Sequence, residues 1–364
     1  MPKAVVVGAG INGLCAARAL LRRGWEVEVV DKGPIPNPEA ASFDRHRLIR
    51  GQYGDPGYAA RLPAAFAAWE ELWDDLGARH YVETGVLALS RVAGDWTDRG
   101  RAGAAAAGAA AETLAPAEVA ARWPMLETAG VRYGLFTRTG GALLADRILA
   151  GLADWLAARG ARLRPEAPVT ALDAAAGVVE AGGARLAGDV VLLAAGTGLP
   201  RLAPALAGDL APRRPVVVYA RPPAEWAGAW EGGPCWVDLG GEDDLWGFPP
   251  VAGIAMKLGA GRLTRPGDPL TGRAAGPEEG EAILAAYRGR FRDADAYVAA
   301  EVVANFYLMA PEERFVLRRS GRAVLVSADS GHGFKFGPLT GEDVADALAP
   351  GGFEAAARRL AGRG

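Results

Sequence analysis

The chain is short of the residues that carry most disulfide and metal chemistry: its 364 residues include two cysteines and three histidines. Cys15 and Cys235 lie far apart with no metal-type spacing, which excludes a disulfide framework, points to a reducing compartment and gives no metal site to expect. A block of like charge is also missing. With 40 Lys and Arg against 43 Asp and Glu the net charge is −3 and no basic cluster stands out, so no nucleic-acid partner is expected. No run of about 18 or more uncharged apolar residues offers a membrane span. The first apolar run, residues 4–7, is cut by glycines too early for a signal peptide, and the expectation is a soluble cytoplasmic protein. Glycine (50) and proline (25) are plentiful in a chain that is 50% hydrophobic, a composition that fits a loop-rich α/β enzyme better than a helical bundle. The length is enough for two packed cores.

The most organised stretch is residues 4–32. Ala4 to Val7 reads as a buried strand that breaks at Gly8, Gly10 and Gly13, after which Leu14, Ala17 and Leu21 recur at helical spacing. A second strand, residues 25–30, ends on Asp31. This is the dinucleotide fingerprint in its strand–turn–helix–strand context. Gly8 permits the tight turn, Gly10 lets the backbone approach a pyrophosphate, and Gly13 lets the helix pack close to the strand, so the phosphates sit at the helix N-terminus. Asp31, 18 positions after Gly13, is placed to accept hydrogen bonds from the ribose hydroxyls. The motif alone does not separate FAD from NAD. Cys15, on this helix, reads as packing.

Residues 41–50 carry three arginines and His46, and read either as an exposed charged loop or as part of a cofactor site. A helix is expected over 58–76, where Leu62, Phe66, Trp69, Leu72 and Trp73 recur every three or four residues. A strand follows at 85–90, then an alanine-rich surface helix at 101–111. Helices are expected at 114–123 and 143–159. Strands are expected at 167–172 and from 189, the latter emptying into a glycine turn at Gly196 and Gly198 where backbone again approaches a cofactor. From 213 to 307 short β-branched runs alternate with turns, and Trp226, Trp230, Trp236 and Trp246 cluster; this predicts a mostly antiparallel sheet, with most of these tryptophans in its core and one or two on a ligand. Residues 321–343 read as strand, glycine-rich loop and helix start, with Pro338 in the first turn, Thr340 as a cap and the helix ending near Leu348. The fold class expected is α/β (α+β overall). A discontinuous Rossmann-like domain (1–80, 143–205 and 306–364) stands beside a substrate domain (81–142 and 206–305). That layout favours a flavoprotein over a simple NAD dehydrogenase.

Arg47-Leu48-Ile49-Arg50, Gly247-Phe248-Pro249, Lys257-Leu258-Gly259 and Ser330-Gly331-His332-Gly333-Phe334-Lys335-Phe336 occur in this order along the chain. With them the chain resembles the monomeric sarcosine oxidase and N-methyltryptophan oxidase family, a branch of the D-amino-acid-oxidase-like flavoproteins. The resemblance implies FAD and oxidation of an amine to an imine, with O2 reduced to hydrogen peroxide. It matches Lys335 and Arg50 to a pair that grips the substrate carboxylate, and Lys257 to a lysine near flavin N5 that activates oxygen. A surface lysine, a structural salt bridge and an ordinary strand lysine are the plain alternatives. His46 and Arg47 match the stretch along one flavin face, where the family usually has Thr in place of His46; a histidine there is expected to titrate near neutrality and tune the flavin. Beside the fingerprint (Gly8, Gly10, Ile11, Asn12, Gly13, Asp31, Lys32), cofactor contacts fall at Val169, Ala195 and Gly196, and at Gly331, Gly333, Phe334 and Lys335. His332 is read as holding its loop more than as a base. The helix beginning near Pro338 would turn its positive end to the flavin pyrimidine ring.

The departures matter. Asn305 stands where sarcosine oxidases carry the cysteine that bonds the flavin, so FAD is expected to be noncovalent, with Cys235 as an alternative attachment point. The family's histidine after Lys-Leu-Gly falls near Gly261, and its tyrosine before Gly-Phe-Pro is Trp246. Both changes leave the substrate open among carboxylate-bearing amines: N-substituted, cyclic or other amino acids. Substrate and O2 are the partners expected of a monomer or small homo-oligomer. A flavin dehydrogenase passing electrons to a carrier, a flavin subunit of a hetero-oligomeric amine oxidase and an NAD-binding oxidoreductase are the alternatives.

Overall fold

Start, middle and end of the chain meet in one sheet. A computed structural model describes residues 1–239 and 241–364. In it the apolar run Lys3–Val7 lies between Glu26–Val30 and Val190–Leu193, all parallel. Arg162–Arg164 extends one side in parallel; Ala323–Ser327, itself paired antiparallel with Val316–Ser320, extends the other. The three central strands, Lys3–Val7, Val190–Leu193 and Ala323–Ser327, are nearly continuous Val, Leu and Ala, as a sheet buried on both faces requires. The helices Ile11–Arg22, Ala145–Ala158 and Gly337–Leu348 pack with its core. A Cβ on Gly337 would come within 2.4 Å of Ile11, and one on Gly341 within 2.4 Å of the Cys15 carbonyl, so these glycines allow the first and last of those helices to touch. Cys15 is buried between them, and burial pushes its thiol up to about 12.

The second large sheet has eight strands in the order Val298–Ala304, Val216–Arg221, Met256–Ala260, Leu245–Phe248, Cys235–Asp238, Val86–Ser90, Tyr133–Thr137, Ala111–Leu114. Every neighbour pair is antiparallel except Cys235–Asp238 with Val86–Ser90, which agrees with the expected mostly antiparallel sheet. The period-2 alternation gives the sheet two different faces. Val218, Met256 and Leu258 join the helix Pro277–Ala286 in one core, whereas Tyr219, Lys257 and Phe248 stand in register on the other face, across three neighbouring strands.

Several expected elements shift. The helix expected at 101–111 is Trp96–Ala106: it starts at the Asp95 cap, whose carboxylate accepts from the Asp98 amide, and Ala111 already belongs to a strand. Leu114 and Leu143 end strands, and their helices are Pro116–Arg122 and Ala145–Ala158. Thr340 is no cap. The helix begins at Gly337 after Phe336, and Thr340 is buried inside it.

Candidate active site

Between the two large sheets lies a cavity of about 850 Å³. Its nucleotide end is made by backbone. Gly8 has φ +105°, and a Cβ there would meet the Ala194 carbonyl oxygen at 2.4 Å; a Cβ on Gly13 would sit 1.9 Å from the Gly8 oxygen. No other residue fits either position without moving the strand or the helix. Gly13 therefore packs the helix and does not itself line the cavity, whereas Gly8, Gly10, Ile11 and Asn12 do. The Ile11 amide donates to Ser42 Oγ (2.9 Å), and Asn12 ties the helix to the Ala328 carbonyl (3.2 Å). Asp31 also lines the cavity, but it is largely committed to protein. Its oxygens accept from the amides of Ala9 (2.8 Å) and Gly33 (3.0 Å) and from Asn37 Nδ2 (2.6 Å). A carboxylate has about four lone-pair sites, so one remains for a ribose hydroxyl. Lys32 stands at the rim, half-exposed and paired with Glu39. Val169, Ala195 and Gly196 complete this end, and Gly331, Gly333 and Phe334 reach the cavity from the C-terminal loop.

Toward the middle the wall becomes charged. Lys257, whose side chain is 2% exposed, donates to Asp44 Oδ2 at 2.5 Å and to the His46 carbonyl at 3.2 Å. Burial lowers the ammonium's pKa to about 8 even though Asp44 opposes the shift. Asp44 also accepts hydrogen bonds from Arg47 and from the Tyr219 hydroxyl. Burial alone would raise its carboxyl, but Lys257 and Arg47 hold it well below the carboxylate range. His46 is fully buried and stacks on Phe248 at 4.3 Å, and neither ring nitrogen has a partner. Here the expectation of titration near neutrality is corrected. Burial first, then the Lys257 cation, brings its pKa down to about 3, so the ring stays neutral.

The remaining end holds two cations without counterions. Lys335 is 5% exposed and donates to the His332 carbonyl at 2.7 Å. Arg50 stacks on Trp96 (4.5 Å) and Tyr53 (5.4 Å), and its Nε has no acceptor. Among the described residues no carboxylate lies within ion-pair reach of either. Burial, then the nearby Arg50, pushes Lys335 well below its ordinary pKa. His332 is spent on structure: Nδ1 meets the Tyr53 hydroxyl, Nε2 donates to the Glu313 carbonyl (2.9 Å), and burial lowers its pKa to about 3. That agrees with a loop-holding role. Of the four clustered tryptophans only Trp246 lines the cavity; Trp230 and Trp236 are core, and Trp226 bonds Asp293. Trp96, outside that cluster, is a lining residue the sequence did not flag. Asp44, Asp244, Glu313 and Asp329 were also missed, because an acid's part in a site depends on partners distant in sequence. Neither cysteine lines the cavity, and Cys235 is buried with its thiol pushed up to about 12.

A chain-spanning similarity fits this geometry. Residues 3–347 match the family described as FAD dependent oxidoreductase. The chain belongs to that family. It is a flavoenzyme related to the oxidases of amines and amino acids, an oxidoreductase of CH–NH donors, and FAD is its cofactor. It is similar to the N-methyl-L-tryptophan oxidase of Yersinia pestis (strain Pestoides F), at 25% identity over 93% of this chain and 92% of that protein. Its fold is shared by the L-proline dehydrogenase from P. horikoshii, at TM-score 0.85 and 18% identity over 100% of this chain and 97% of that one. The glycine oxidase from Geobacillus kaustophilus follows at TM-score 0.78 and 19% identity, covering 95% and 94%. The residues present suit FAD: a glycine cradle that any Cβ would fill, a buried imidazole with both nitrogens unpartnered, and one continuous cavity from fingerprint to cationic end. Among the described residues no helix is long and apolar enough to cross a membrane.

Proposed function

We propose that this flavoenzyme oxidises an amine that carries a carboxylate, an N-substituted, cyclic or other amino acid, to the imine, with O2 as acceptor and hydrogen peroxide as product. The observation that carries the reading is the pair Arg50 and Lys335, two buried cations facing a cavity with no carboxylate of the chain beside them. Buried charges are normally paired, and here the missing partner is supplied by the substrate. FAD, when bound, takes up the electron pair released from the carbon next to nitrogen. Arg50 and Lys335 hold the carboxylate by charge-assisted bonds and so fix that carbon's orientation. Their positive field also favours the neutral amine, the form that can be oxidised. Lys257, held by Asp44, places an ammonium in the dry wall where charge develops on oxygen. The fingerprint glycines hold the nucleotide, and with both cysteines outside the cavity the attachment is noncovalent.

The test is anaerobic mixing of holoenzyme with matched amines that have or lack the carboxylate, followed by admission of air. Carboxylated amines should bleach the flavin, and air should restore the colour within seconds. Lys335→Met should lose about 1.5–3 kcal/mol of transition-state binding for them, roughly tenfold to 150-fold in kcat/KM, and little for amines without a carboxylate. Equal losses on both series would remove the carboxylate grip, and colour that returns over hours would remove the oxidase step.

A further inference from the structure

We propose that Tyr53 contacts the substrate: its hydroxyl oxygen, whose hydrogen is committed to His332, accepts the N–H of the reacting amine and so favours amines that keep an N–H over fully alkylated ones. This rests on the carboxylate-bearing amine reading and adds a contact to it.

The direction of the hydroxyl follows from a carbonyl. His332 Nε2 lies 2.9 Å from the Glu313 backbone oxygen, which can only accept, so this nitrogen carries the proton. Burial lowers the ring's pKa to about 3, and a neutral imidazole has one protonated nitrogen. Nδ1 is therefore a bare acceptor, and the Tyr53 hydroxyl that meets it is the donor. Burial pushes the Tyr53 phenol well above its ordinary range and outweighs the opposing effect of Arg50, so the hydrogen stays in that bond. The oxygen keeps a lone pair, and among the described residues no protein donor reaches it. The Glu313 carbonyl that sets this order belongs to a turn in which Glu312 and Glu313 both have positive φ, +53° and +56°. Neither is glycine. Such backbone persists only where its surroundings over-determine it, and it gathers at functional sites.

Tyr53, 6% exposed, lines the cavity and lies inside the cationic cluster. The Arg50 guanidinium carbon is 5.4 Å from its ring centre and Lys335 Nζ is 5.7 Å away. Lys335 also donates to the carbonyl of the same His332. Arg50 Nε is buried without an acceptor, which marks this cluster for an anion. A carboxylate gripped by both cations sits beside the tyrosine, and the amine of an α-amino acid is one carbon removed from its carboxylate. Arg50 and Lys335 can only donate, and both ring nitrogens of His332 are used. Of these four side chains the Tyr53 oxygen alone can take a hydrogen bond from the amine. That contact uses the N–H and leaves the nitrogen lone pair free to become the C=N bond.

The experiment uses holoenzyme and pairs of carboxylated amines that differ by one methyl on nitrogen. The pairs are N-methylglycine with N,N-dimethylglycine, L-proline with N-methyl-L-proline, and N-methyl-L-tryptophan with N,N-dimethyl-L-tryptophan. Anaerobic bleaching gives the second-order rate of reduction. In the series the enzyme accepts, the member with an N–H should react at least about tenfold faster, the size of one hydrogen bond in the transition state. Tyr53→Phe should bring the pair within about twofold by slowing the N–H member. A preference caused by crowding of the second methyl would survive that change, because Phe keeps the ring. His332→Phe frees the hydroxyl hydrogen to turn into the cavity and should shrink the preference as well, which tests the contact even if Tyr53→Phe fails to fold. Glu313 offers a competing carboxyl: if Glu313→Gln erases the preference and Tyr53→Phe does not, the amine bonds Glu313 and the proposal falls. Equal rates within the accepted pair, or a preference that survives in folded Tyr53→Phe, also overturn the Tyr53 contact alone. Cyclopentanecarboxylate, which has the carboxylate and no amine, reports the grip of Arg50 and Lys335 separately and should bind unaltered enzyme and Tyr53→Phe within about twofold. A weaker hold on it in the variant would place Tyr53 in that grip instead and overturn the contact. No bleaching by any carboxylated amine overturns the reading on which it rests.

Discussion

At the nucleotide end of the cavity the wall is backbone: Gly8 at φ +105°, Gly10, and the start of a helix held close by Gly13. Away from it the wall is charged side chains, Lys257 held by Asp44 in the middle and Arg50 and Lys335 at the other end. The first kind of wall recognises what every dinucleotide shares, and it works by the absence of side chains. The second, on the reading proposed above, recognises a particular small molecule and can be retuned by one substitution. A change at the nucleotide end should therefore act all-or-none through folding and cofactor retention. A change at the substrate end should leave a folded yellow protein with altered chemistry.

The largest effect that sharpens this contrast is Gly13→Val. Its Cβ alone would lie 1.9 Å from the Gly8 oxygen, on two backbone segments with no freedom to yield. The outcome expected is colourless or insoluble protein, with FAD affinity down by more than about a thousandfold, read by flavin fluorescence after purification. Gly228→Ala is the control, since nothing lies within 4 Å of its Cβ and it is inside the helix Ala224–Glu231. That change should add about 0.5–1 kcal/mol of stability. A yellow, stable Gly13→Val enzyme would break the comparison.

The next effect falls where the two walls meet. Asp44 holds Lys257, Arg47 and Tyr219 at once, so Asp44→Asn leaves the buried Lys257 ammonium without its counterion and beside the part-buried Arg47. Removing one partner of a buried pair costs about 3–5 kcal/mol, measurable by chemical denaturation. It also removes what keeps Lys257 charged. In the unaltered enzyme the rate of reoxidation by O2 should fall as pH rises through about 8, where the ammonium loses its proton. In the variant the fall should move to lower pH. A purely structural Asp44 would change the melt and leave the midpoint of that profile in place.

These two regions also differ in how readily they can be read from the sequence. The fingerprint is local: strand, glycines, helix, strand and acid lie within one short segment, so their geometry follows from spacing. Lys257 is flagged by resemblance, and its place on the cavity face follows from alternation, since Met256 and Leu258 go to the core. Asp44 is different. Arg47 is three positions on, but the lysine that pairs with Asp44 is 213 positions away and the tyrosine 175, so nothing near it in sequence reveals the buried lysine it balances. Asp31 shows the converse, since the sequence shows an acid ready for a ribose but not the three protein donors already on it. The alanine-rich helix is placed too far along because its start is set by the Asp95 cap rather than by its alanines.

The smallest effect concerns His46, whose expected titration depended on burial that a sequence does not display. In the unfolded chain it binds a proton near pH 6.5, whereas in the folded protein it does so only near pH 3. Between these values the unfolded state holds more protons. The contribution to stability is thus complete above about pH 6.5 and is lost as pH falls, by about 1.4 kcal/mol per pH unit. His332, with its pKa also about 3, adds a second such slope. Asp329 runs the other way: burial raises its carboxyl to about 7, so it costs stability as pH rises from about 4 to 7. Other groups shift both ways here, His80 downward and Asp238, Asp244, Glu313 and Asp343 upward, so the share of His46 is read as a difference between the unaltered enzyme and a variant. His46→Phe keeps the stack on Phe248 and removes the titration, so the slope over pH 4–6 should change by about 1.4 kcal/mol per pH unit, less loss of stability on acidification than in the unaltered enzyme. Urea melts of holoenzyme at saturating FAD across this range measure it. An undiminished slope would mean that His46 takes up its proton in the folded state, and that the middle of the cavity is wetter than its packing shows.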